Sequence, residues 1–108
     1  MVIENLFVGL VLAAGVTSAG KLVDLGALGA SGDFGLQVDC AAAVTVTYKA
    51  AASGAVPAAV SGDNILAAHD GSGSKMYWPA IPPYAKIWVY ATAPAASGAT
   101  VTATLNVW

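Results

Sequence analysis

His69 is the only histidine of the chain and stands directly before Asp70, with Ser72 and Ser74 close behind in a glycine-rich segment. These are the residue types from which a carboxylate-oriented imidazole activates a hydroxyl. The spacing works against that chemistry. Neighbouring residues of an extended strand point to opposite faces, so His69 and Asp70 meet only if a turn brings them together. Nothing near Ser72 or Ser74 supplies paired donors for an oxyanion. Asp63, Asn64, His69 and Asp70 offer oxygen and nitrogen ligands, but without a repeated Asp-x-Asp or His-x-His spacing. Cys40 is the single cysteine, so no intrachain disulfide or thiolate cluster can form. In phase with Phe34, Leu36 and Val38, it reads as a small buried hydrophobe. The glycines of Gly26 to Asp33 are spaced somewhat like a phosphate cradle, yet no Gly-Lys-Ser/Thr follows and no helix is predicted behind them. The residues predict no enzyme, no metal site and no cofactor.

The aromatic residues are more informative. Tyr77, Trp78, Tyr84, Trp88, Tyr90 and Trp108 crowd into the C-terminal third. Large amphipathic rings of this kind fill cores, anchor protein interfaces or stack on ligands. One small core that must also bury the Val, Leu and Ile faces has little room for six of them. Trp88 and Tyr90, which alternate with Ile87 and Val89, are expected at a contact between subunits, and Trp108 is the next candidate. Tyr77, Trp78 and Tyr84 join them as interface candidates, as do Leu6, Phe7 and Val8 near the N-terminus. Trp78, Tyr84 and Trp108 also read, alternatively, as the stacking platform of a carbohydrate-binding module.

Composition points the same way. The 108 residues include no arginine and four lysines, with a formal net charge of −2. No basic stripe exists to neutralise phosphates, so nucleic acid is not an expected partner. Charged residues make up 9% of the chain, against about 25% in an ordinary soluble domain. The mean hydropathy is +0.71. A surface this poor in charge is expected to be covered by copies of itself or by another protein.

These residues need elements to position them, and the hydrophobic alternation is that of strands. In Lys86 to Thr92 both alternating sets are apolar, which asks for cover on both faces. In Thr100 to Trp108 the alternation is clean, with Val101, Ala103, Leu105 and Val107 on one face and threonines, Asn106 and Trp108 on the other. The connector Ala93 to Ala99, with its Pro94 and Ser97-Gly98, predicts a hairpin between the two. Phe34 to Cys40 and Val44 to Lys49 are expected to form an inner strand pair. Lys21 to Leu25 reads as a short strand, and Ile65 to Asp70 as a strand or a single helical turn.

Ala50 to Asn64 reads as a long surface connection. Pro79, Pro82 and Pro83 keep the approach to Lys86 out of a sheet interior. The apolar run in Met1 to Gly20 carries Glu4 and no basic residue, which disfavours an export signal, and it is too short to span a bilayer. Ile3 to Val11 is therefore expected to be a strand, or an arm with strand character. The predicted fold is one all-β domain over residues 1–108, an antiparallel β-sandwich of about seven or eight strands, jelly-roll-like or immunoglobulin-like. Residues 1–20 form its N-terminal strand or arm.

Pro82-Pro83-Tyr84-Ala85-Lys86-Ile87-Trp88-Val89, followed after a small-residue turn by Ala99-Thr100-Val101-Thr102-Ala103-Thr104-Leu105, resembles the closing strands of small β-sandwich structural proteins of tailed bacteriophages. Gly35-Leu36-Gln37-Val38 and Val44-Thr45-Val46-Thr47-Tyr48 are similar to earlier strands of such proteins. The resemblance is one of pattern and covers Ser31 to Trp108. It implies a virion component and hence a homo-oligomer, with a capsid decoration or cement role and a major capsid protein as partner. A tail or head–tail module is the variant of that role. Virion proteins often exchange such arms between subunits, so the analogy leaves open whether the N-terminal arm, outside the resemblance, pairs with its own subunit or with another.

Overall fold

The computed structural model describes residues 1–51, 64–81 and 86–108. Eight strands lie in these stretches: β1 (Val2–Leu12), β2 (Lys21–Asp24), β3 (Phe34–Cys40), β4 (Thr45–Ala51), β5 (Ile65–Ala68), β6 (Gly73–Tyr77), β7 (Lys86–Thr92) and β8 (Ala99–Val107). They form two antiparallel four-stranded sheets in the orders β1-β8-β3-β6 and β2-β7-β4-β5. The first strand pairs with the eighth, the second with the seventh, the third with the sixth and the fourth with the fifth. A chain nested on itself in this way and rolled into two sheets is a jelly roll, which decides between the two topologies the sequence left open.

Alternation builds the core. Leu36 and Val38 of β3, Val46 of β4, Ile87, Val89 and Ala91 of β7, and Val101, Ala103 and Leu105 of β8 are all fully buried between the sheets. Each large aliphatic side chain withdrawn from water in this way contributes about 1.5–3 kcal/mol. Cys40 lies in phase with them and is buried, as expected from its spacing. In β1 the ladder is interrupted twice, between Asn5 and Phe7 and between Phe7 and Leu10. The first irregularity lets the adjacent residues Leu6 and Phe7 both reach the core. The second places Gly9 at φ +58°, its amide donating to Thr102 Oγ1 at 3.0 Å.

Two expected pairings are corrected. β7 and β8 do not form a hairpin: they belong to different sheets, and the connector between them crosses the sandwich. Its Ala93 amide donates to Val16 O, and Pro94 O accepts from Gly15, tying the crossing to the link between β1 and β2. The physical reason is that Ile87, Val89 and Ala91 enter the same core as Val101, Ala103 and Leu105 from the opposite sheet; a hairpin would set them side by side in one sheet. β3 and β4 likewise sit in opposite sheets, with the alanine run 41–43 turning the chain between them. The stretch left open between strand and helical turn is β5, a strand that ends at Ala68. Most of the long connection expected over Ala50 to Asn64, together with Pro82, Pro83 and Tyr84, falls outside the described residues.

Candidate interaction surface

The outer face of the first sheet can be read from its register. Cross-strand partners share a face, so Asn106 lies between Ile3 of β1 and Gly35 of β3. One row along, Thr104 lies between Asn5 and Gln37, and Gln37 is followed by Met76 of the edge strand β6. A third row holds Thr102, Asp39 and Ser74. The floor is thus amide and hydroxyl. Gln37 Nε2 donates to Ser74 Oγ at 2.9 Å, with Asp39 Oδ2 3.3 Å away, which fixes the amide plane across two strands.

At one end of this floor stand Trp78 and Trp108. Trp78 follows β6 and is 71% exposed; Trp108 follows β8 and is 41% exposed. Their ring centroids are 6.5 Å apart with the planes tilted by 32°. Gly35 explains how they reach each other: a Cβ there would lie 3.1 Å from Trp78 Cζ3, 3.3 Å from Met76 Cε and 3.4 Å from Trp108 Cζ3. Without a side chain at position 35 the two indoles and the methionine lean over the strand. Backbone bonds hold the base of the pair, Trp108 N donating to Asp33 O at 3.0 Å and Trp108 O accepting from Ser31 N. The rings and Phe34, Pro79, Asp33 and Gly32 enclose an open cleft of about 490 Å³, within the range of small-ligand sites.

The remaining candidates are scattered. Trp88 lies on the outer face of the second sheet, beside Leu22 and Lys49, but is only 5% exposed. The expectation that it meets another subunit is corrected, since its own chain already covers it. Tyr90, on the same face, is half-buried against Gly20, with Lys49 Nζ 5.0 Å from its ring centroid. Leu6 and Phe7 are core residues, which removes them as contacts, whereas Val8 is 77% exposed on its bulge. Tyr84 is outside the described residues. Tyr77 is half-buried and points inward, where its hydroxyl lies 2.8 Å from His69 Nδ1.

His69 was not legible as a structural residue. Its ring is buried, and Nε2 lies 2.8 Å from Cys40 O, a carbonyl that only accepts, so Nε2 donates. The imidazole therefore fastens the end of β5 in one sheet to β3 and β6 in the other. Asp70 is exposed and faces a different set of partners. The Ser72 hydroxyl, then the Ser72 amide, then the Lys75 ammonium hold its carboxyl well below the usual carboxylate range. The residues first considered for acid–base chemistry thus spend their polar atoms on a sheet clamp and a turn.

No family model and no curated protein matches the sequence. Among solved structures the chain is similar to one in the structure of the infectious bursal disease virus Gx strain, with 10% identity and a TM-score of 0.54. The match covers 96% of this chain and 30% of the viral one, so the chain spans about a third of that protein's length. A second similar structure is PliG of Aeromonas hydrophila, a periplasmic inhibitor of g-type lysozyme, at 16% identity over 94% of this chain and 91% of that one. Its TM-score of 0.43 is too low to bear on the fold. The viral likeness concerns architecture alone: this chain folds as a β-sandwich of the kind found in a virus structure.

Proposed function

We propose that the protein is a non-enzymatic structural component of a virion, acting as a capsid decoration or cement protein held by contacts with its own copies and with a major capsid protein. The observation that carries this reading is the exposed side of β1. Among the described strands β1 is an edge of its sheet, it is 11 residues long, and it exposes Ile3, Val8 and Val11 together. A long edge of this kind with apolar side chains is an association surface unless something covers it. The jelly-roll strand order and the likeness to a chain of a virus structure support the same reading, as does the low charge of the whole chain.

The two β1 valines test it. Val8→Asp/Val11→Asp places two carboxylates on an exposed edge and leaves the core untouched. In purified particles the variant is expected to be depleted, by quantitative mass spectrometry, and the particles to release their contents at a lower temperature. Equal copy number and equal heat resistance would contradict the proposal.

A further inference from the structure

Beyond the assembly contacts along β1, and independently of them, we infer that the cleft between Trp78 and Trp108 binds a neutral saccharide. Trp78 is largely exposed and Trp108 partly so, and the two indoles stand side by side at the surface with their ring centroids 6.5 Å apart. The cleft itself carries the Asp33 carboxylate, and Asn106, opposite Gly35 beneath the rings, is the nearest outward side chain of the sheet that both donates and accepts hydrogen bonds; Thr104 follows one row further along. A pyranose ring has the matching pair of surfaces: a C–H face that packs on an indole, and a rim of hydroxyls that donate and accept in turn.

Charge selects among the ligands that stack on tryptophan. Three of the four lysines, Lys21, Lys49 and Lys86, belong to the other sheet, and Lys75 alternates away from the outward Ser74 and Met76 and is engaged by Asp70. The outer face instead carries Asp39, and the cleft carries Asp33. A nucleotide, a sulfated glycan or an anionic headgroup would bring its charge to a surface with no lysine or arginine side chain to receive it. A purely apolar ligand would strip water from the amide row without replacing its hydrogen bonds. A neutral oligosaccharide meets neither objection.

The test titrates the full chain with maltohexaose, cellohexaose, chitohexaose and laminarihexaose, with sialyllactose and a heparin fragment as anionic comparators. Tryptophan fluorescence and saturation-transfer NMR report binding; Trp88, already buried, contributes a constant background. A saturable response to at least one neutral glycan is expected, weakened at least about tenfold, or about 1.4 kcal/mol, in Trp78→Ala and in Trp108→Ala. Asn106→Ala, which keeps all three tryptophans, is expected to weaken the same glycan. Unchanged urea midpoints in these variants separate lost binding from lost folding. Val8→Asp/Val11→Asp is expected to bind the glycan normally, so the cleft and the β1 contact succeed or fail separately. The inference is overturned by silence toward every neutral glycan, by equal binding of the anionic comparators, or by a response that follows protein concentration, which would make the cleft a seam between copies.

Discussion

His69 shows how a residue suited to chemistry becomes structural. Its two ring nitrogens reach Cys40 O and the Tyr77 hydroxyl, so His69→Ala removes both bonds and opens a cavity. The expected cost is about 2–4 kcal/mol in urea denaturation, with Tyr77→Phe costing about 1 kcal/mol. A His69→Ala protein as stable as the parent would contradict the clamp. At Asp70 the sign is fixed by the lowered carboxyl: its interactions stabilise the fold above the unfolded value of about 3.9 and are lost as pH falls through the lower folded value. The carboxyl carbon of Asp70, followed by NMR, is expected to titrate below an ordinary aspartate, and Ser72→Ala to move its midpoint upward. Cys40 was legible from its phase with Phe34, Leu36 and Val38. Trp88 was not, because alternation assigns a side chain to a face and says nothing of what lies over that face.

Strands were legible where alternation is strong. The threonine and valine sets of β8 and the doubly apolar β7 have no other economical conformation. Their partners were not legible, since a small-residue connector serves equally to reverse a chain within one sheet or to carry it to the other. β1 shows a further limit: Leu6 and Phe7 are adjacent and both buried, which a strict period of two forbids and a bulge permits. The junction of β1 and β8 also depends on Gly98, where a Cβ would stand 2.7 Å from the Leu12 carbonyl oxygen. Gly98→Ala is expected to cost about 1–3 kcal/mol and to speed amide exchange at the β1–β8 end. An unchanged melting temperature would show that the two strands can part there without loss.

At the scale of the molecule, nested pairing brings Val2 opposite Val107, so the sandwich closes only when the two ends of the chain meet. Loop closure over such separations is slow, and refolding monitored by stopped-flow fluorescence of Trp88 is expected over milliseconds to seconds. Completion within microseconds would be incompatible with this topology. The same architecture leaves the charge-poor chain with an apolar β1 edge facing outward, which links fold to proposed role. Sedimentation velocity over a dilution series addresses that link most directly. The parent protein is expected to run as an assembly whose size falls on dilution, and Val8→Asp/Val11→Asp as the 10.7 kDa single chain. A parent that sediments as the single chain at every concentration, indistinguishable from the variant, would contradict the account.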